Sequence, residues 1–334
     1  MAAVLLVLGL ALAAALVAGL ALGPVRIAPG RVFAVVLGGE RGGPLATIVW
    51  EVRMPRVLLG AVVGAGLAVC GAVLQALVRN QLADPFLLGA SSGASAGAVL
   101  VLVLGAGAGL AGLTLPAAAF GGALAALVAV YAMARRGGTM TGQRLILAGV
   151  AVQYVLSALT SLVLVLAAKA DQLRSVMFWT LGGLGGARWS ELALPAAALA
   201  VGTGLLLALA RPLDLLLTGE EDARTLGLDT GRFRAAVFVL TSLVVGVLVA
   251  YSGAIGFVGL MAPHAARIVV GAGHRALLPV AALGGAVFLT VADLLARTVA
   301  APEEIPVGVV TALVGGPFFL WMLRRTTRIE GVTT

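Results

Sequence analysis

Apolar runs long enough to cross a membrane recur along almost the whole chain. Residues 4–22 and 192–210 are two of them, each continuous and free of acidic or basic side chains. A spanning helix needs about 20 mostly apolar residues, whereas a barrel strand would alternate apolar with polar ones, and these runs do not. Only 11% of the 334 residues are charged, against roughly 25% in soluble domains, so the chain cannot cover a water-facing surface of its size. Its 46 glycines favour close contact between helix backbones. The sequence predicts an all-α, polytopic transmembrane helical bundle.

Ten stretches can be marked: 3–23, 54–78, 87–106, 113–134, 144–168, 191–211, 235–252, 255–271, 277–299 and 306–323. Gly and Ser dilute the third, and His264 and Arg267 interrupt the eighth. The first lacks a basic leader and exceeds the usual signal-peptide core, so it reads as a retained helix. No linker or second soluble domain stands out, and residues 1–334 read as one transmembrane domain. With the N-terminus in the cytoplasm, thirteen of the 22 basic residues fall in inner segments and nine in outer ones, the expected bias. Arg135, Arg136, Arg324 and Arg325 carry most of it. The net charge of +8 therefore belongs to inner loops rather than to nucleic-acid binding, and no basic tract interleaved with aromatics exists. Cys70, the only cysteine, cannot form an intrachain disulfide and reads as a small packing residue.

Enzyme signatures are missing. A phosphate-binding Walker loop needs Gly-Lys-Ser/Thr, and Lys169, the only lysine, stands between Ala168 and Ala170. His264 and His274 lie ten positions apart with no cysteine nearby, so no metal site is expected. The hydrolase elbow is missing as a strand–turn–helix, and the segment Ala90-Ser91-Ser92-Gly93-Ala94-Ser95 reads as a capped helix start. The longest polar stretch on the inner side is 214–234. There Glu220, Glu221 and Asp222 precede Arg224, and Gly227 can end a short helix, as capping and dipole rules favour. Such a helix is a natural handle for another protein.

Charges within spans cost several kcal/mol each unless paired or hydrated (about 2.5–3.5 on insertion scales). Asp293 and Arg297 are spaced i, i+4 and can neutralise each other. Alternatively, Arg297 joins Arg53 and Arg56 at the outer side, where guanidinium forks suit carboxylates on an external partner. Interfacial anchoring is the other reading of Arg53 and Arg56. Asp293 is the only plausible intramembrane acid, which disfavours a secondary, ion-gradient transporter, the different-class rival.

Several segments in order resemble the FecCD family of permease subunits. They are Val52-Arg53-Met54-Pro55-Arg56, Gly64-Ala65-Gly66-Leu67-Ala68-Val69-Cys70-Gly71-Ala72-Val73-Leu74-Gln75, and Arg79-Asn80-Gln81-Leu82-Ala83-Asp84-Pro85-Phe86-Leu87-Leu88-Gly89. Further matches are Leu145-Ile146-Leu147-Ala148-Gly149-Val150, Phe178-Trp179-Thr180-Leu181-Gly182-Gly183 and Ala223-Arg224-Thr225-Leu226-Gly227. The last are Gly253-Ala254-Ile255-Gly256-Phe257-Val258-Gly259-Leu260-Met261-Ala262-Pro263-His264, Ala292-Asp293-Leu294-Leu295-Ala296-Arg297 and Glu304-Ile305-Pro306-Val307-Gly308. One departure is Gln81, where the family usually has proline, which leaves a freer backbone and an extra N–H.

The resemblance implies the permease of a type II ABC importer for iron–siderophores, haem or cobalamin, with ten spans and no cofactor of its own. Its implied partners are a second permease subunit, alike or related, two cytoplasmic ATPase subunits that bind ATP and Mg, and an extracytoplasmic substrate-binding protein. The implied location is the bacterial cytoplasmic (inner) membrane. An iron chelate, siderophore or haem, is the favoured cargo, with cobalamin the alternative. By similarity Arg53, Arg56 and Arg297 receive acids of the binding protein. Asn80, Leu82, Thr141, Gly142 and Gln143 resemble the cytoplasmic gate. Glu220, Glu221, Ala223, Arg224, Leu226 and Gly227 match the ATPase-coupling segment. The fifth and tenth spans would line the path, with Gln153, Tyr154, Ser157, Thr160 and Thr311 as polar candidates. That lining holds no acid, which suits a large chelate better than a bare cation.

Overall fold

The computed structural model describes residues 1–39, 42–105, 114–136 and 139–330. The chain begins with α1 (Ala2–Ala21), α2 (Pro29–Val36) and α3 (Pro44–Thr47), then a π-helical turn, Ile48–Arg53, that runs into α4 (Met54–Val78). A 3-10 turn, Pro85–Leu88, leads to α5 (Ala90–Val99), which a second π turn, Leu100–Leu104, extends. Next come α6 (Leu115–Ala134), the two-residue antiparallel strands β1 (Arg135–Arg136) and β2 (Thr139–Met140), and α7 (Gly142–Ala167). Then follow α8 (Ala170–Thr180), α9 (Trp189–Ala208), α10 (Ala210–Thr218), α11 (Glu220–Thr225) and α12 (Thr230–Ser252). The last are α13 (Val258–Val270), α14 (His274–Ala296) and α15 (Val307–Glu330).

Among the described residues, seven helices are long and apolar enough to cross a membrane, and three shorter apolar ones, Ala90–Leu104, Val258–Val270 and Val307–Met322, complete the ten expected stretches. The third and eighth are short for a reason. At 1.5 Å per residue, the 13 residues of α13 rise only about 20 Å, against a hydrocarbon core of about 30 Å. The chain covers the remainder with the irregular residues 82–84 and the 3-10 turn Pro85–Leu88 before α5, and with the irregular residues 253–257 before α13. Such backbone survives at this depth only inside protein.

The core is built around α4, whose residues from Val63 to Leu77 are almost all buried, against α9, α12, α13 and α14. Gly64 faces Gly285 of α14 so closely that a Cβ on either would collide with the other's carbonyl oxygen, so only glycine allows this approach. A smaller cluster, Leu20, Ala21, Ile27, Val32, Val35, Val49 and Val57, packs the connection between α1 and α4. In contrast, α7 buries only Leu145, Ala148, Gly149 and Val152, all in its first half.

Candidate functional site

The bundle has two ends. The near end holds the N-terminus, residues 79–84, the start of α7 and the segment α10–α11. The far end holds residues 22–53, α8 and residues 297–306.

At the far end a buried cluster of charges joins four elements. Arg56 of α4 donates from Nε to both oxygens of Asp293 of α14 at 3.0 and 3.2 Å, and its Nη2 lies 2.9 Å from Oδ1. Nη1 of the same guanidinium donates to both oxygens of Glu304 at 3.0 Å. Arg297 places Nε 3.3 Å from Oδ2 of Asp293 and donates from Nη2 to the Gly19 carbonyl of α1 at 2.7 Å. Arg53 donates to the carbonyls of Leu20 at 2.6 Å and Val25 at 2.5 Å. Beside this cluster opens a cavity of about 450 Å³, whose wall includes Arg56, Ser175, Trp179, Glu191, Tyr251 and Glu304.

At the near end the structure brings the two expected gate segments together. The Asn80 carbonyl oxygen of the side chain accepts from Leu82 N at 2.9 Å, a turn that reverses the chain after α4. Thr141 caps α7 by accepting from Arg144 N at 3.4 Å, and Gly142 lies against the backbone of Val78. Gln143 is exposed beside it. In the segment expected to meet the ATPase, Glu220 binds Arg224 at 2.8 Å and Arg234 of α12 at 3.1 Å, while Arg224 Nε donates to Thr230 Oγ1 at 3.1 Å. Gly227, at φ +87, takes the left-handed conformation that closes α11. Glu221 and Leu226 are exposed, Leu226 by 65%. The uncovered face of α7 carries Tyr154, 74% exposed, and Ser157. Gln153 and Thr160 lie at its edge, half-buried, with the Thr160 hydroxyl donating to Leu156 O at 2.8 Å.

A profile of the FecCD transport family matches residues 10–325. The chain belongs to the FecCD transport family. It is 47% identical to a cobalamin import system permease protein of Halobacterium salinarum, over 83% of this chain and 73% of that one. It is 45% identical to a hemin transport system permease protein of Yersinia pestis, over 83% of each. Its fold matches that of a metal-chelate type ABC transporter solved in an inward-facing conformation, with a TM-score of 0.84 and 30% identity over 97% of this chain and all of the other. This FecCD chain is thus a multi-pass permease subunit of an ABC importer.

Several expectations for this FecCD permease need revising. Arg53, Arg56 and Arg297 do not stand open to an acidic partner: all three are buried, at 4, 8 and 3% exposure, and their donors are turned onto the buried Asp293, the exposed Glu304 and backbone carbonyls of the same chain. The i, i+4 pair of Arg297 with Asp293 exists, but Asp293 is gripped more closely by Arg56. Ala223 is fully buried and belongs to the base of the 214–234 segment, not its outer face. Glu220 is engaged within the chain as well. Thr311 is buried, with its hydroxyl donating to Gly308 O at 3.0 Å, so in this conformation it lines no open path.

Asp293 is not the only acid in the body of the bundle. The loop after α4 folds back inside and carries Asp84, which accepts from Phe86 N at 2.8 Å and from Phe257 N at 3.2 Å. Gln75 of α4 donates from Nε2 to Ala83 O at 3.2 Å and to Gly259 O at 3.3 Å, and its Oε1 accepts from Arg267. The two histidines serve separate places. His264 meets the ring of Phe318 edge-on at 5.6 Å, and His274 holds Asp214 of α10, with Nδ1 2.6 Å from Oδ1. The Asp84-Pro85 pair was the sequence signal: an acid followed by proline caps a turn, and its free carboxylate oxygen can satisfy a second N–H.

Proposed function

We propose that this permease pairs with a second permease subunit across the uncovered face of α7 and imports a large metal chelate through the space between them. The observation that carries this reading is α7 itself. A membrane helix that buries almost nothing within its own chain, yet presents Tyr154 and Ser157 on its open face, suits a partner or a hydrated path better than lipid. The exposed residues of α15, among them Leu313, Leu320 and Trp321, are likewise apolar, and neither 142–167 nor 307–323 contains an acid, which offers weak binding to a bulky chelate and no ring of ligands to a bare cation.

In this cycle the near end faces the cytoplasm of a bacterial cell, and two ATPase subunits grip the coupling segment through Glu221 and Leu226. ATP binding closes the ATPase pair, and the coupling segment passes that motion to α12 through Glu220–Arg234 and to α14 through Asp214–His274. Each nucleotide state acts only by the difference in its contacts with that segment. An extracytoplasmic binding protein delivers cargo to the far end. Iron–siderophore or haem is the favoured cargo, and cobalamin the alternative. The test is to purify the cognate binding protein with its ligand, identify that ligand by mass spectrometry, and measure its ATP-dependent uptake into proteoliposomes holding the whole transporter. Uptake driven by an ion gradient without ATP would refute the reading.

A further inference from the structure

Phe257 precedes α13 with φ +69 and ψ −21, a left-handed conformation that is a true outlier for a bulky side chain. Strain of this kind persists only where the surroundings over-determine it. Here two constraints act on the residue. Its N–H donates to Oδ2 of Asp84, and its ring lies against Gly315 of α15, at a place where a Cβ would collide with the ring. The other oxygen of Asp84 accepts from Phe86 N, so the carboxylate spans two irregular segments, 79–89 and 253–257. Gln75 braces the same pair from α4, donating to Ala83 O and Gly259 O. Asn80 and Leu82, in the gate segment, are four and two residues from Asp84.

We infer that Asp84 and Phe257 are positioning residues that connect the cytoplasmic gate loop to the path-lining helix α15. This rests on the import cycle proposed above. While the gate loop sits as observed, Asp84 holds Phe257 in its strained conformation and the ring wedges against Gly315. When the loop moves, Asp84 withdraws its oxygen, Phe257 relaxes out of the left-handed region, and the ring leaves α15 free to shift. The two arrangements make a discrete switch rather than a continuous deformation. Asn cannot stand in for Asp84, because its single oxygen can meet only one of the two N–H groups and its amide would face the other.

The experiment uses the complete transporter, with ATPase subunits and binding protein, in proteoliposomes. Spin labels at Ile268→Cys on α13 and Leu320→Cys on α15, both exposed positions, report the spacing of these helices within one permease copy. The spacing is read without nucleotide and with ATP and Mg trapped by vanadate. In the otherwise native chain it should change on trapping. Asp84→Asn and Phe257→Gly should abolish that change while ATP hydrolysis continues, and the ATP hydrolysed per molecule imported should rise about tenfold, the scale of a typical coupling energy. Haemin and cyanocobalamin serve as the import probes. Phe257→Tyr, which keeps the ring, should behave as the native chain. If Asp84→Asn does not assemble, Phe257→Gly decides, since glycine accepts φ +69 without strain. A spacing change that persists in Phe257→Gly overturns the inference. No change in the native complex, together with no ATP-driven uptake, overturns the import cycle beneath it.

Discussion

Arg56 and Asp293, 237 positions apart in sequence, form a buried ion pair that clamps α4 to α14 at the far end, with Arg56 Nη2 2.9 Å from Oδ1. Both side chains are almost fully enclosed, at 10 and 2% exposure. Removing one partner leaves the other with a single remaining counter-charge, Glu304 for Arg56 and Arg297 for Asp293. Arg56→Met or Asp293→Leu should each destabilise the chain, by less than the about 3–5 kcal/mol of a wholly unpaired buried charge, while the double replacement should recover part of that loss. Thermal unfolding in detergent across the four-variant cycle measures the coupling. Additive single losses would mean that the pair contributes no mutual stabilisation.

The neighbouring Arg53 gives a different expectation, because its partners are backbone carbonyls rather than acids. Arg53→Glu turns donors into acceptors facing Leu20 O and Val25 O, and should lower folded yield outright. Arg53→Lys, which still donates, should be far milder. Size-exclusion profiles of the two variants distinguish this structural role from one confined to docking, in which folded yield would stay unchanged and only affinity for the binding protein would fall.

In the segment 214–234, proposed to couple to the ATPase, burial separates two residues that look alike in sequence. Ala223 is enclosed and Leu226 is open. Ala223→Asp should expose 214–234 to proteolysis even without partners, since it buries an unpaired charge. Leu226→Asp should leave the segment resistant and reduce co-purification of the ATPase subunits by about tenfold or more, as for a lost apolar anchor at an interface. Limited proteolysis and pull-down report the two effects separately.

Ser157 offers a clean reporter of the open face of α7. Cys70 is the only native cysteine and is buried, so Ser157→Cys introduces a single accessible thiol. In the assembled transporter that thiol should react with a water-soluble maleimide or cross-link to the second permease subunit, because a hydrated or partner-facing position differs from one in lipid. A thiol that reacts only with membrane-soluble reagents would place the path elsewhere.

The purified chain should hydrolyse no ATP by itself. Lys169 caps the exposed start of α8, where its N–H donates to Gln172 Oε1 at 2.9 Å, and no Gly-rich loop precedes it to cradle phosphate. A phosphate-release assay on the isolated chain, and again after adding the partner ATPase, checks this directly.

Sequence alone determined what depends on neighbours along the chain: ten apolar stretches, their helical state, the weak third and eighth, and the motifs of the FecCD family. These follow from the cost of placing unsatisfied backbone and unpaired charge in hydrocarbon, which each segment must meet largely within itself. Asn80 and Thr141, expected at the gate, each cap a turn of their own segment. Only the tertiary structure decided which groups separated in sequence would meet. The i, i+4 spacing made Arg297 the evident partner of Asp293, yet the fold brought Arg56 closer; the loop holding Asp84 folded inward; and Ala223 and Thr311 turned away from the faces expected of them. A side chain's partner across a bundle depends on how helices cross and how close their glycines let them come, as at Gly64 and Gly285, and that distance is set by the packing of all the helices together.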